Sequence, residues 1–266
     1  QDVLQEAGAV EANVATGYHA IEFLLWGQDL NGTGAGAGAR PATDFDPANC
    51  TGGNCERRAQ YLKAASGLLI ADLEEMVANW QANGAAREAL LVEPEAGVAA
   101  ILTGMGSLSY GELAGERMKL GLLLHDPEEE HDCFSDNTHN SHYRDVVGIR
   151  AVYIGEYRRS GGKVVKGASL SGLVAAIDPA LDREMRAKLD ATVDRMAGLK
   201  KRAEMVEAYD QMIGKDNAEG NATVQAAIDA LTDQTKSIER VVAALKLKPI
   251  QFEGSDSLDD PAQGFK

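Results

Sequence analysis

The sequence predicts an all-α protein built from helical bundles, with one long Gly-rich loop. Composition supports this, because 44% of the residues are hydrophobic but only 5% are aromatic, and Ala and Leu are abundant. Two long segments, residues 185–213 and 224–245, also repeat apolar residues at steps of three and four. A pattern kept over three or more heptads is typical of antiparallel bundle helices with short connections.

Length and charge limit the possible functions. The chain has 266 residues, enough for one large or two small domains with a real core. Its formal net charge of -15 argues against nucleic acid or an anionic membrane surface as a partner and favours cations. No apolar run reaches the roughly 18 residues of a membrane-spanning helix. The chain opens at Gln1 directly into a helical pattern, without a signal peptide, so we expect a processed or truncated product.

The N-terminal helix carries the first candidate site. Apolar residues follow helical steps from Val3 to Leu25, and residues 21–26 are apolar around most of the helix, which predicts burial on most sides. His19 and Glu22 lie three residues apart and therefore on one helix face. An imidazole and a carboxylate in so apolar a setting cost free energy unless something binds them.

Two interpretations of this pair remain open. In the first, His19 is a core histidine hydrogen-bonded to Glu22. In the second, both are metal ligands presented by one helical turn, as His and Glu are in bundle-core metal sites. The helical zinc motifs HExxH and HxxEH are excluded, because Phe23 stands where the further histidine would be. A metal would therefore need additional ligands from elsewhere in the chain.

Residues 27–55 are predicted to form the long loop, since Gly, Pro, Asn and Asp are too frequent there for regular structure. A loop of this length in a compact protein is more often functional than idle. Cys50 and Cys55 lie within it. A disulfide that pins the loop is favoured over half of a zinc site, because the sequence has no second Cys pair. A helix with an apolar face from Tyr61 to Trp80 follows.

Residues 87–124 are expected to be helical, with an interruption at Pro94. The later part carries Glu112 and Glu116 one turn apart, with Arg117 adjacent. In one interpretation these side chains are surface charges, or form an ion pair. In the other, they belong to a site that faces the histidine of the first helix, because the small residues around them suggest close packing.

Residues 125–142 hold four of the five histidines together with many Asp and Glu residues. The segment has no helical or strand period. It offers borderline nitrogen and hard oxygen donors for a metal, or it is simply a solvated loop. Cys133 has no feature that indicates a catalytic thiol.

The remainder is predicted to be helical with turns. Helices are expected at residues 143–157 and 168–177, separated by a turn, and the two long bundle helices follow. Pro249 ends the regular pattern, and we expect the acidic tail after it to be loose.

Four blocks of sequence resemble a known family. GYHAIEFLLWG resembles the GxHxxE signature of imelysin-like proteins, with Gly17, His19 and Glu22 at the defined positions. The blocks NGTGAGAGARPATDFDPANCTGGNCERRAQYL, GELAGERM and EEEHDCFSDNTHNSH look like its iron-regulated branch, called iron-regulated protein A. The GxHxxE motif alone is weak evidence for the family. Four blocks in the same order, between about residues 13 and 154, are specific evidence for it.

The resemblance implies an imelysin-like helical region over residues 1–266, with two bundles packed as lobes and the GxHxxE helix lining the cleft between them. The expected lobes are residues 1–124 and 142–248, joined by the His-, Asp- and Glu-rich loop 125–141. Family members carry a substantial helical segment before GxHxxE, whereas only eighteen residues precede His19 here. We therefore expect part of the first bundle to be missing, cleaved or supplied as a separate chain.

The resemblance also implies a set of site residues. The metal ligands would be His19, Glu22, Glu112, Glu116, His131 and Asp132. The residues lining the cleft would be Tyr18, Arg117, Glu130, Ser135, Asp136 and Asn137.

By resemblance, the protein is exported to the bacterial periplasm or held at the outer membrane as a lipoprotein, and serves iron acquisition. It would bind iron or an iron-containing ligand and work with membrane-anchored iron-transport partners. The family is also classified among metallopeptidases, so the alternative is a zinc-dependent peptidase in which Glu112 activates water. Binding is favoured because no general base is evident. A third hypothesis is a scaffold in which His19 and Glu22 only hold the lobes together.

Overall fold

The computed structural model describes residues 15–261, which are predominantly helical. The helices, α1 to α11 in chain order, are Gly17–Trp26, Cys55–Trp80, Ala85–Val92, Pro94–Ser107, Leu120–Leu124, Thr138–Ile154, Leu170–Ile177, Pro179–Met205, Tyr209–Ile213, Ala218–Ala244 and Asp256–Asp259. A π-helix spans Leu108–Lys119, and 3₁₀ turns span Ala42–Phe45 and Pro127–Glu129. Strands β1 (Glu156–Arg158) and β2 (Val164–Lys166) form an antiparallel hairpin. The predicted all-α bundle fold is confirmed.

The described part of the chain divides into two compact units. The first unit contains residues 15–31, 36–89 and 132–136, and the second contains residues 32–35, 90–131 and 137–261. Helices α1 and α2 therefore belong to the first unit, and α4 to α11 belong to the second. The division into lobes at residues 1–124 and 142–248 stays a prediction.

Helix α1 begins at Gly17, whose φ of 86° explains why glycine stands there, since residues with a Cβ rarely adopt it. The expected burial on most sides is wrong, because only Glu22 and Leu24 of α1 are buried. Four large side chains are 39–65% exposed, namely Tyr18, Phe23, Leu25 and Trp26. In the described residues α1 packs chiefly on α2, which covers one side of it. The apolar positions predicted between residues 3 and 14 lie outside the described residues.

Helix α2 was identified by its periodicity, but its burial is less than the pattern suggests. Ala65 is 3% exposed, whereas Met76 and Trp80, near the C-terminal end, are 59% and 54% exposed. An amphipathic pattern shows which face is apolar and does not show how much of that face is covered.

The Gly-rich loop is organised around Asp44, which is buried in the first 3₁₀ turn. Its carboxylate accepts a hydrogen bond from Oγ1 of Thr51 at 2.7 Å and pairs with Arg40 at 3.2 Å. The hydrogen bond from Thr51 is the largest cause that lowers the pKa of Asp44. The disulfide between Cys50 and Cys55 joins the loop to the first residue of α2, with Cα atoms 5.8 Å apart. The predicted disulfide-pinned loop is confirmed.

The core of the second unit is formed mainly by α8 and α10, which pack along each other and against α6 and the π-helix. Met185 and Met196 of α8 are fully buried, each in one of two apolar clusters. The expectation of one helical pattern over residues 185–213 is wrong. The helix ends at Met205, because Val206 adopts φ -127° and ψ -61°, and α9 begins afresh at Tyr209.

Glycines on the π-helix allow the C-terminal segment to pack closely. A Cβ on Gly111 would lie 2.6 Å from the carbonyl oxygen of Glu253, and one on Gly115 would lie 2.3 Å from Cβ of Ser255. Ser255 and Ser257 are only 5% and 3% exposed. The expectation of a loose tail is therefore wrong for the described part of the tail. The C-terminal segment packs into a groove on the π-helix that side chains at Gly111 and Gly115 would fill.

Two further boundaries differ from the predictions. Helix α6 begins at Thr138, inside the histidine-rich segment, so His139 and His142 are helical. The predicted turn, residues 158–167, contains the tip and the second strand of the β1–β2 hairpin, and the first strand begins inside the helix predicted over residues 143–157. Its strands have three residues each, too few to show a period of two.

Within residues 15–261, no single helix is both long and apolar enough to cross a bilayer. Two consecutive helical segments joined at a bend, Cys55–Val92 and Pro94–Leu124, are together long and apolar enough, by length and composition alone.

Candidate metal site

Three donor side chains of the first unit converge on one point. Nδ1 of His19 lies 2.9 Å from Oε2 of Glu22, one helical turn further along α1. Oδ1 of Asp132 lies 3.9 Å from the same nitrogen. One ligand atom from each of the three lies within 4.8 Å of the others. We call these three residues the His19 group.

Ser135 fixes the carboxylate of Glu22. Its backbone N–H and its hydroxyl donate to Oε1 at 3.0 Å and 2.6 Å, so both carboxylate oxygens are engaged. Burial alone would raise the pKa of Glu22, but the hydrogen bonds from His19 and Ser135 outweigh it and leave the pKa below its ordinary value. Glu22 is therefore held ionised and in one orientation, the state that a metal ligand needs.

The Gly-rich loop positions the segment that carries Asp132 and Ser135. The N–H of Gly38 donates to the carbonyl of Phe134 at 3.0 Å, and the N–H of Arg40 donates to the carbonyl of Trp26 at 2.8 Å. A Cβ on Gly38 would lie 2.6 Å from that Trp26 oxygen, so glycine is required for this approach. The rings of Phe23 and Phe134 also meet edge to face, with centroids 5.1 Å apart. The loop thus ties residues 132–136 to the end of α1.

Asp136 is a second functional candidate in this segment. Burial raises the pKa of its carboxyl to about 6, and the negative charges of Asp29 and Glu22 contribute to the rise. A carboxyl with this pKa exchanges its proton near neutral pH, which is a property of general bases.

A cavity of about 680 Å³ borders the His19 group within the first unit. Phe23 and Phe134 form part of its wall, and His19, Arg57 and Tyr61 add polar groups. A volume of this size suits a small-molecule ligand. Arg57 and Tyr61 were not among the predicted site residues, because the resemblance supplied no role for them, although both lie in its second block, which ends CERRAQYL.

The residues of the His19 group fit a metal ion. An imidazole nitrogen and two carboxylate oxygens are donors that iron, zinc and manganese accept in proteins. Metal–ligand bonds of roughly 2.0–2.2 Å place neighbouring ligand atoms about 3 Å apart. Nδ1 of His19 lies at comparable distances from Oε2 of Glu22, 2.9 Å, and from Oδ1 of Asp132, 3.9 Å. Three protein donors would leave positions open for water or a ligand.

A comparison with known protein families shows where this chain belongs. The model of the imelysin family, of the M75 peptidase class, matches residues 1–238. This chain belongs to the imelysin family. No match was found among curated proteins. In an imelysin-family chain, the His19 group indicates a site that can bind a metal.

The other ligands expected from the imelysin signature lie in the second unit, where they have partners of their own. Glu112 pairs with Arg117 at 3.2 Å, and Arg117 also pairs with Asp145 at 3.2 Å. Glu116 accepts a hydrogen bond from the hydroxyl of Ser255 at 2.5 Å. A ligand role for Glu112 and Glu116 stays a prediction.

The remaining predicted residues are divided between the units. Tyr18 is in the first unit and is 65% exposed. Glu130, His131 and Asn137 are in the second unit. Glu130 is 4% exposed, the ring of His131 stacks on His142 with centroids 6.1 Å apart, and Asn137 immediately precedes α6. Their roles in lining an imelysin cleft stay predictions.

Proposed function

We propose that this imelysin-family protein belongs to the iron-regulated branch and binds iron, or an iron-containing ligand, in bacterial iron acquisition. The observation that carries the proposal is the His19 group, in which a mixed nitrogen and oxygen donor set is preformed around an ionised Glu22. The formal charge of -15 favours the approach of cations.

Several features favour binding over hydrolysis. Ser135 orients Glu22 through Oε1 and leaves Oε2 directed at Nδ1 of His19, so a metal that replaced the hydrogen bond between these two atoms would meet both donors. The lowered pKa of Glu22 makes its carboxylate a poor acceptor of a proton from water. The neighbouring cavity has room for a chelator as well as for the ion.

A zinc-dependent peptidase is the second candidate. The family name supports it, and so does Asp136, whose pKa of about 6 suits a general base near neutral pH. In that case His19, Glu22 and Asp132 would hold the zinc, and the metal would supply an activated water. Asp136, rather than Glu112 with its arginine partner, is then the better base.

We place the protein outside the cytoplasm, in the periplasm or at the outer membrane, with membrane-anchored iron-transport partners. The Cys50–Cys55 disulfide supports this location, because disulfides persist in oxidising compartments.

Metal titration of the purified chain tests the proposal. Tight binding of one iron ion should be lost in His19→Ala and in Glu22→Gln, and kept in Glu74→Gln, which changes an exposed glutamate of α2 in the same unit. Chelator-sensitive peptide cleavage that disappears in Asp136→Asn would support the peptidase. Undiminished metal binding in both His19→Ala and Glu22→Gln would contradict both functions.

A further inference from the structure

The cavity beside the His19 group has a positively charged wall. Arg57 and Arg58, near the start of α2, line it, and none of the described residues around it carries a carboxylate. The chain as a whole has a formal charge of -15, so the charge of this wall is opposite to that of the protein. His19 belongs both to this wall and to the His19 group. The wall therefore attracts an anion next to a site for a cation.

Asp44 does not neutralise this wall, although it pairs with one of the two arginines. Its Oδ2 lies 3.7 Å from Nη1 of Arg58 and 3.2 Å from Nη1 of Arg40, so one carboxylate is shared by two guanidinium groups. Arg58 also donates to the backbone carbonyl of Asp44 at 2.7 Å, which holds its guanidinium in place. Arg57 is exposed and pairs with no carboxylate in the described part of the chain. Arg57 is thus the cation that a ligand can use.

The rest of the wall is largely apolar and aromatic. Phe23 and Phe134, whose rings meet edge to face, line it together with alanine and leucine side chains of α1. The hydroxyl of Tyr61 donates to the backbone carbonyl of Ala15, so Tyr61 offers the cavity its ring more than its oxygen. Aromatic side chains pack well on other aromatic rings, and a cavity of about 680 Å³ has room for one.

The metal site and the cavity wall carry opposite charges. Glu22 and Asp132 offer negative charge to a cation, whereas Arg57 offers positive charge to an anion. A bare cation would use only the first of these, and a free anion would use only the second. A chelate, in which an anionic organic molecule holds the metal, would use both.

We propose that the His19 group and this cavity together bind a ferric chelate of an aromatic acid, a catecholate that also carries a carboxylate. The adjacent ring oxygens of such a molecule bind iron, which is a hard cation, and the His19 group supplies further ligands. The carboxylate at the other end of the ring pairs with Arg57, and the ring packs against Phe23 and Phe134. This proposal rests on the proposed iron-binding function and adds the class of molecule that accompanies the iron.

Equilibrium dialysis of the full chain against ferric protocatechuate tests the proposal, with iron and chelator counted separately. Protocatechuate is a catechol with a carboxylate on the far side of the ring. We expect the wild type to retain iron and chelator together, and His19→Ala to lose both.

A comparison with ferric catechol, which lacks the carboxylate, isolates the role of Arg57. Arg57→Gln should lower the affinity for ferric protocatechuate about tenfold, because a charge-assisted pair at an exposed arginine is lost, and should leave the affinity for ferric catechol unchanged. Arg57→Lys should recover part of the loss. The matched control Lys63→Gln removes an exposed positive charge of α2 that does not line the cavity, and should change neither affinity.

Ferric citrate tests the aromatic part of the proposal. Citrate is an open-chain carboxylate with no ring to pack against Phe23 and Phe134, so we expect its iron complex to bind the wild type about tenfold more weakly than ferric protocatechuate. Equal or tighter binding of ferric citrate would overturn the assignment to an aromatic acid.

The failure of this proposal can be distinguished from the failure of iron binding. Retention of iron without protocatechuate would overturn the chelate and leave iron binding intact. Equal losses of affinity for ferric protocatechuate and ferric catechol in Arg57→Gln would do the same, because the carboxylate would then have no partner at Arg57. If the wild type retains neither ferric protocatechuate nor Fe²⁺ supplied alone under argon, both proposals are wrong.

Discussion

Replacing Ser135 by alanine tests how the His19 group is held together. The substitution removes the 2.6 Å hydrogen bond from the Ser135 hydroxyl to Glu22 and leaves the backbone N–H and His19 as donors. A hydrogen bond to a charged group contributes about 1.5–3 kcal/mol. Because two donors to Glu22 remain, we expect the loss of stability to be at the lower end of this range, about 1.5 kcal/mol. For a chain of this size that loss lowers the Tm by about 3–6 °C.

The pH dependence of this loss identifies its cause. The folded protein holds the pKa of Glu22 below its ordinary value of 4.5, so the hydrogen bonds contribute stability above that pH. This contribution disappears as the pH falls through the pKa that Glu22 has in the folded protein. The difference in Tm between the wild type and Ser135→Ala should therefore shrink in that pH range. Thermal unfolding of chelator-treated protein between about pH 3 and pH 8 measures this, with the exposed Ser160→Ala as the control. An equal loss at every pH, or no loss at pH 7, would refute the reasoning.

Three further predictions concern the fold. Gly111→Ala should cost about 1–3 kcal/mol, since its Cβ would meet the backbone of the C-terminal segment at 2.6 Å. Gly104→Ala should instead be neutral or stabilise by up to about 1 kcal/mol, because its Cβ would meet no atom within 4 Å beyond its own stretch of helix. Equal denaturation midpoints for the two variants would contradict the packing. Changing both Cys50 and Cys55 to serine should cost about 2 kcal/mol in urea unfolding, because the closed loop is short, and a loss above about 4 kcal/mol would indicate a role beyond loop closure. Asp182→Ala should cost about 2–4 kcal/mol by the same measurement, because it leaves two buried hydroxyl donors without their acceptor, and a change below about 1 kcal/mol would exclude that network.

Helix identity was predictable where an apolar period extends over many turns, as in α8 and α10, because core packing selects that period. Burial of α1 was not predictable, because the period defines an apolar face and says nothing of what covers it. The π-helix Leu108–Lys119 also escaped prediction. Its hydrogen bonds shift from i+4 to i+5 without a residue type that marks the change.

The His19–Glu22 pair was predictable because three residues span about one helical turn. Asp132 could be named as a ligand only by resemblance, since it lies more than a hundred residues away and has several acidic neighbours. Which carboxylate reaches His19 is decided by the backbone path of residues 132–136. That path depends on the bond between Gly38 and Phe134, which no local pattern reveals.

The histidine-rich segment shows why counting donors overestimates metal ligands. Nδ1 of His125 lies 2.6 Å from the carbonyl oxygen of Ile213, and His131 stacks on the buried His142, so these rings have structural contacts. A histidine is both an aromatic ring and a hydrogen-bonding group, and its abundance in a segment does not distinguish these uses. The segment contributes a carboxylate, Asp132, to the His19 group. One imidazole with two carboxylates is a harder donor set than the histidine- and cysteine-rich sites typical of zinc, and this hardness is the chemical reason to favour iron.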